Sequence, residues 1–371
     1  MSFHWFLLLN ASIKNFHLND DDDDDSNILS IHFDNLKNLN FPIIWLRDNC
    51  QCDKCFDAVS NSKIHKPLNF TNEIIPSSIN STNDSVTIIW KDDHFSNFNK
   101  EWLCRHSFHK KHQIERLNEE YVQQISWDSN DFNKFQPEIS FRFDDIIKYD
   151  DTLLKWLETL AKFGVGKISG VPLKNGQLQK LAERVSFIRK TYYGEEFFIK
   201  GDNDANNVAY KKGPLQMHTD LPYYHYAPGV VLLHCILQST EGGENILVDG
   251  LNLVKQLPKS SYEVLTKTIV DWSDVGCENK YEFCTKNRAP VICVDDLGNV
   301  NRINWSQPQR DSVFNVSPEV ALEWYKGYKK FMEMINDTKN AVIFKNEEGI
   351  SFSFSKKIKQ FYLYFDFLNV F

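Results

Sequence analysis

Eight residues in the second half of the chain, Gly229-Val-Val-Leu-Leu-His-Cys-Ile236, form a nearly continuous apolar run. So short and apolar a segment suits a central strand covered on both faces. Further β-rich text follows at Ile246-Leu-Val-Asp249 and Ala289-Pro-Val-Ile-Cys-Val294. Helical spacing flanks it. Over residues 151–162, Leu153, Leu157 and Leu160 recur on one face with Leu154 beside them, Asp150 or Asp151 is placed to cap, and Gly164 to terminate. A strand over 165–171 and a helix over 178–189, with Leu178, Leu181, Val185 and Ile188 on one face, come next. Another helix begins at Ser317 as N-cap with Pro318 in its first turn. Its stripe of Val320, Trp324, Tyr328, Phe331 and Ile335 reads as core packing. The expected fold is mainly β with flanking helices, built around a barrel or jelly-roll.

The text before residue 140 has a different character. Six acids from Asp20 to Asp25 predict a disordered acidic N-terminus over residues 1–27. Residues 28–115 read as a small β module, with strands at Ile43-Ile-Trp-Leu46 and Ser85-Val-Thr-Ile-Ile-Trp90 and a loop rich in Asn, Ser and Thr between them. Residues 116–139 form a linker with helical character, and a larger domain occupies 140–349.

Composition narrows the class. With 42% hydrophobic and 14% aromatic residues, 371 residues can bury a large core. A net charge of −8 argues against a nucleic-acid partner. No window approaches the roughly 18 apolar residues of a membrane span. The apolar start from Met1 to Leu9 lacks a basic flank and a cleavage site, and the first arginine is Arg47, so a cytoplasmic location is expected. Eight cysteines in that compartment are expected to be reduced, five of them (Cys104, Cys235, Cys277, Cys284, Cys293) as small buried hydrophobes.

The other three form Cys50-Gln-Cys-Asp-Lys-Cys55. Three thiolates this close in a reducing compartment suit Zn(II), which needs one more ligand for a closed tetrahedral structural site. His65, His94, His106 and His109 are the nearby histidines.

A second constellation is Met217-His-Thr-Asp220. On extended backbone, residues two apart project to one side. An imidazole and a carboxylate held so supply two of the three ligands of a facial non-haem Fe(II) site. Alone the pair is a weak signal; its surroundings make it specific. The block Asn206-Asn-Val-Ala-Tyr, His-Thr-Asp-Leu-Pro, Pro-Gly-Val, Leu-Leu-His-Cys, Gly-Gly and Val-Asp-Gly250 resembles the γ-butyrobetaine and trimethyllysine dioxygenases. The resemblance continues through Arg302-Ile-Asn304 and Arg310-Asp311 and spans about residues 30 to 349.

The resemblance implies a double-stranded β-helix (jelly-roll) oxygenase core preceded by a small zinc-binding domain. It implies His218 and Asp220 as Fe(II) ligands, 2-oxoglutarate as cosubstrate, ascorbate as reductant and a homodimer. His94 matches the family's fourth zinc ligand beside Cys50, Cys52 and Cys55. The substrate is a small quaternary ammonium compound, which cannot donate hydrogen bonds and is held by aromatic faces. Tyr193, Phe197 and Tyr210 match the aromatic cage, with phenylalanine where the family often has tryptophan. Leu221 replaces a cage tyrosine, a contact Tyr223 or Tyr224 could supply. Asn207 matches a residue that holds the substrate carboxylate, and Ser306 replaces its usual Asn companion. His234 has no implied metal role and is expected to be a hydrogen-bonded core histidine. The implied reaction is hydroxylation of γ-butyrobetaine to L-carnitine, with trimethyllysine as the alternative substrate.

The chain departs from the family after Gly349. There the pattern continues to a ligand histidine and an arginine for the far carboxylate of 2-oxoglutarate. Here residues 350–371 contain neither, and no histidine follows His234. The expectation is an atypical tail, from an incomplete gene model or a splice variant, that leaves the 140–349 domain incomplete. Taken as written, the chain would be a pseudoenzyme, a betaine-binding or dimer-partner subunit, with unpaired core strands.

Overall fold

The computed structural model describes residues 12–19, 28–34, 38–66, 74–120, 122–196, 215–238, 242–278, 281–295, 297–355 and 360–364. The chain divides into two compact units, Met1–Tyr121 and Val122–Phe371.

In the first unit, alternation of buried and exposed residues builds two three-stranded antiparallel sheets. One contains Ile13–Asn19, Ile28–Phe33 and Leu39–Pro42; the other contains Pro76–Ser81, Ser85–Trp90 and Phe95–Asn99. Leu29, Ile31, Phe41, Val86, Ile88 and Phe98 from the two sheets meet in one core. Two expectations are corrected here. Part of the N-terminal segment 1–27 is ordered: Ile13–Asn19 pairs along Ile28–Phe33, and Ile13 is buried. The acidic run itself lies outside the described residues. Ile43-Ile-Trp-Leu46, read as a strand, opens the helix Ile43–Asp48. Pro42 ends the preceding strand at φ −60° and ψ 133°, and Ile43 and Leu46 then bury one face at a spacing of one helical turn.

In the second unit, a four-stranded sheet has the order Val230–His234, Ser351–Ser355, Val165–Ser169, Ser140–Arg142. A three-stranded sheet has Glu244–Asp249 between Ala341–Lys345 and Gln360–Tyr364. The two share a core of Phe163, Val165, Leu247, Phe352 and Phe354, with Leu233 and Phe344 packed against it. Trp156 and Leu160 of the helix Asp150–Phe163 pack with Ile168 of the first sheet. Trp324, Phe331 and Ile335 of the helix Pro318–Ile335 join Val248, Leu265 and Trp272 in another core. Helices and strands take similar shares of the described residues, so "mainly β" holds for the core sheets and not for the whole chain. Among the described residues no helix is long and apolar enough to cross a membrane.

Several boundaries move. The 116–139 linker is largely structured: the helix Lys110–Glu120 belongs to the first unit, while Trp127 and the helix Ser129–Phe135 sit in the second unit's core. The Trp127 backbone N–H donates to Asp249 Oδ2 at 2.9 Å and its indole donates to the Phe163 carbonyl at 3.0 Å. The expected helix over 178–189 is only Gln177–Glu183. Asp150 and Asp151 lie inside the first turn of their helix, whose N-cap is Tyr149. Gly164 ends it at φ +78°, as expected.

The segment 350–371 is also corrected. Ser351–Ser355 is not an appendage to the domain but an inner strand, paired with Val165–Ser169 on one side and Val230–His234 on the other. Its Phe352 and Phe354 are buried on one face. On the other face Ser353 Oγ accepts from Trp156 Nε1 at 3.0 Å and donates to the Gly166 carbonyl at 3.1 Å.

Candidate active site and metal centres

In the first unit, a short loop following the helix Ile43–Asp48 carries Cys50, Cys52 and Cys55, and the turn between Ser85–Trp90 and Phe95–Asn99 carries His94. The turn is tight because Asp93 adopts φ +58°, and Asp92 Oδ1 accepts from the His94 backbone N–H at 3.2 Å. His94 Nε2 stands 3.2 Å from Cys50 Sγ and 3.5 Å from Cys52 and Cys55 Sγ. Sulfur and nitrogen on one tetrahedral zinc stand about 3.5 Å apart, so the donor set fits Zn(II). His65 and His106 are engaged elsewhere: His65 with Asp48 and the Cys55 carbonyl, His106 with the Trp102 carbonyl.

Burial pushes the Cys50 thiol up, and burial with the neighbouring thiols takes Cys55 to about 12. At Cys52 burial opposes ionisation, but the Lys54 backbone N–H and the flanking thiols lower the pKa. Burial, and then the charge of Arg47, lower His94. Without a cation, most of this cluster is held protonated on sulfur and neutral on imidazole; a bound metal must displace thiol protons. Arg47, buried and paired to Asp92 at 3.0 Å, reaches Cys55 Sγ at 3.8 Å and supplies outer hydrogen bonding.

In the second unit, Met217 is buried in the core next to His218. Thr219 is tied to Trp305 both ways: its N–H donates to the Trp305 carbonyl at 2.6 Å, and its Oγ1 accepts from the Trp305 N–H at 2.9 Å. Trp305 stacks on Tyr328 at 4.4 Å. After Asp220, Leu221 turns left-handed (φ +54°), and Arg302 binds the carbonyls of Pro222, Tyr224 and His225. Fixed on both sides, His218 Nε2 and Asp220 Oδ1 lie 3.2 Å apart. Two cis donors on an octahedral divalent ion at about 2.1 Å stand about 3.0 Å apart. His218 Nδ1 lies 2.9 Å from the Gln216 carbonyl, which selects the Nδ1–H tautomer and leaves the Nε2 lone pair facing a carboxylate. The pair fits two positions of a facial Fe(II) site. Among the described residues no third His, Cys, Asp or Glu joins them in a ligand cluster.

A cavity of about 1030 Å³ opens at this pair, lined also by Tyr193, Leu221, Tyr223, His234 and Ser306. Tyr193 lines this cavity, and of the two proposed replacements for the lost ring Tyr223 lines it as well. Phe197, Asn207 and Tyr210 lie outside the described residues. His234 is corrected: its Nε2 is buried with no hydrogen-bond partner among the described residues. Burial lowers its pKa.

The sequence reading did not pick out Tyr192 or Asp274. The Tyr192 and Tyr193 hydroxyls both donate to Asp274 Oδ2, the latter at 3.2 Å. The Tyr192 and Tyr223 oxygens lie 2.7 Å apart. Asp274 is about eighty residues away in sequence, and no local motif announces it.

Two sheets around a shared core, with a His-X-Asp pair at the mouth of a cavity, define the class of non-haem iron, 2-oxoglutarate-dependent dioxygenases. The model for the taurine catabolism dioxygenase TauD, TfdA family matches residues 128–350, and that for the gamma-butyrobetaine hydroxylase-like N-terminal region matches residues 21–104. The chain belongs to this dioxygenase family, in its γ-butyrobetaine dioxygenase branch. It is 34% identical over 313 residues to gamma-butyrobetaine dioxygenase of Homo sapiens, covering 83% of this chain and 79% of that one. The corresponding enzyme of Pseudomonas sp. (strain AK-1) is 28% identical over 326 residues, covering 85% and 81%. Trimethyllysine dioxygenase of Meyerozyma guilliermondii is 26% identical over 337 residues, covering 88% and 84%.

Proposed function

We propose that the chain acts on γ-butyrobetaine, hydroxylating it to L-carnitine with Fe(II) held by His218 and Asp220 and 2-oxoglutarate as cosubstrate. The observation that carries this reading is the His218–Asp220 pair at a cavity whose wall includes Tyr193 and Tyr223. Fe(II), when bound, couples oxidative decarboxylation of 2-oxoglutarate by O₂ to hydroxylation of an unactivated C–H bond, with ascorbate as reductant. The residues of the chain bind and orient. Thr219 and Arg302 hold the donor pair against the Trp305 and Pro222–His225 backbones. The tyrosine faces attract a cation that makes no hydrogen bonds. Zn(II) at Cys50, Cys52, Cys55 and His94 has a structural role in this reading, since four protein ligands leave no position for a substrate.

The test is succinate release from 2-oxoglutarate with γ-butyrobetaine, with trimethyllysine and with neither. Release stimulated by γ-butyrobetaine supports the reading. Stimulation by trimethyllysine alone moves the substrate to the related amino acid. Betaine binding without succinate above background marks a binding protein that does not turn over.

A further inference from the structure

A quaternary ammonium is attracted by π-faces and by negative potential, because it has no N–H to donate. The cavity wall has a source of such potential directly behind it. Asp274 lies on the strand Val270–Glu278, opposite Thr285 of Tyr281–Ala289. Its Oδ2 accepts hydrogen bonds from the Tyr192 and Tyr193 hydroxyls. Tyr192 stacks on Phe283 of the partner strand at 3.9 Å and 12°, and its ring meets that of Tyr193 at 4.3 Å and a 46° tilt. The hydrogen bond to Asp274 and the ring contacts with Tyr192 and Phe283 restrict Tyr193 at the cavity wall.

The basic residues of this hairpin are engaged elsewhere, Arg288 with Asp271 at 3.1 Å and Lys286 with Asp311 at 3.8 Å. Among the described residues no lysine, arginine or histidine forms an ion pair with Asp274. The tyrosines do not neutralise it either, since burial and Asp274 itself push the Tyr192 hydroxyl above its ordinary range. The ring array already takes up one cation: the Arg189 guanidinium stands 5.0 Å over Tyr226 and 5.9 Å over Tyr224.

We propose that Asp274 is the positioning and charge-supplying residue for the substrate cation, orienting Tyr193 and giving the tyrosine wall its negative potential without itself touching substrate. The proposal deepens the betaine reading and rests on it. The test is calorimetric titration of the full chain with γ-butyrobetaine and with its neutral carbon isostere, in which tert-butyl replaces trimethylammonium. Wild type binds the cation at least about tenfold more tightly than the isostere. Asp274→Asn, which keeps an acceptor for the hydroxyls, cuts that preference about fivefold or more while isostere affinity stays within about twofold. Asp274→Glu restores the preference.

Retention of the wild-type preference in Asp274→Asn overturns the proposal, as does an equal loss of both ligands, which a purely structural role would produce. No cation preference in wild type overturns the betaine reading along with it, and this is visible before any substitution is made. Thermal melting accompanies each titration. If Asp274→Asn does not fold, Tyr193→Phe carries the test: it unties the ring from the carboxylate, and betaine affinity falls about threefold or more with the isostere unaffected. Equal retention of both ligands there overturns the proposal.

Discussion

At Leu221 a non-glycine residue is held left-handed immediately after the Asp220 donor, at a backbone cost of about 1–2 kcal/mol. Thr219–Trp305 on one side and Arg302 on the other offset that cost, and so set the 3.2 Å between His218 and Asp220. Thr219→Val removes the hydroxyl and keeps the shape; iron affinity is expected to fall about tenfold or more, read by Fe(II) titration. At the zinc cluster, His94→Ala should take zinc content from one per chain to well below half by metal analysis, because three ligands leave the site open. Metal retention there should also fall with acidification. Zinc needs thiolates, burial holds Cys50 and Cys55 as thiols, and lower pH favours the proton over the metal. Zinc release followed with a chromogenic chelator from neutral pH downward checks the sign; retention that rises on acidification would contradict it.

The strand Ser351–Ser355 shows how much an element's worth depends on its neighbours. Alternating Ser and Phe suits a strand, and here both faces are buried. Its two inner hydroxyls differ in a testable way. Ser353 Oγ satisfies Trp156 Nε1, whereas Ser351 Oγ is buried with no partner among the described residues. Ser353→Ala should therefore destabilise by about 1–3 kcal/mol, and Ser351→Ala should be neutral or stabilising by about 1 kcal/mol, in urea unfolding. Gly349, at φ +77°, precedes the strand, and a Cβ there would lie 3.1 Å from the Val171 carbonyl oxygen. Gly349→Ala is expected to cost about 1–2 kcal/mol or more for the left-handed backbone alone, again in urea.

At the scale of the whole molecule, each hydrophobic core found among the described residues draws on one unit: residues 13–104 supply one, and residues 127–354 supply the others. Cys50, Cys52, Cys55 and His94, the candidate zinc cluster, all fall in the first. Chelation is therefore expected to lower the protection of amides in Ile28–Phe33 and Ser85–Trp90 in hydrogen exchange. The sheet containing Val165–Ser169 and Val230–His234 should keep its protection. Equal loss in both units would show that the metal stabilises more than its own core.

Periodicity and spacing in the sequence determined much of this. Leucines at helical spacing with Gly164 behind them and Ser317 followed by Pro318 each produce their element, because capping and face burial act within a few residues; the apolar run before Cys235 forms its strand too, but at the end of its sheet and partly exposed instead of central. The Cys50-X-Cys-X₂-Cys loop and His218-X-Asp220 were legible for the same reason: two or three donors on a short stretch share one side. The candidate fourth ligand, His94, needed the family resemblance to be singled out, since His65 lies closer in sequence and His106 and His109 little farther. What only the tertiary structure decided is longer in range. Ile43–Leu46 has strand-like composition and becomes a helix where Pro42 ends the strand and the core takes Ile43 and Leu46. Ser351–Ser355 became an inner strand because two partners flank it. Asp274 joined the tyrosines because its hairpin places it there. Local patterns record the few-residue energies of turns, caps and faces; pairing and the fate of a buried charge depend on which distant groups the fold brings within hydrogen-bond reach.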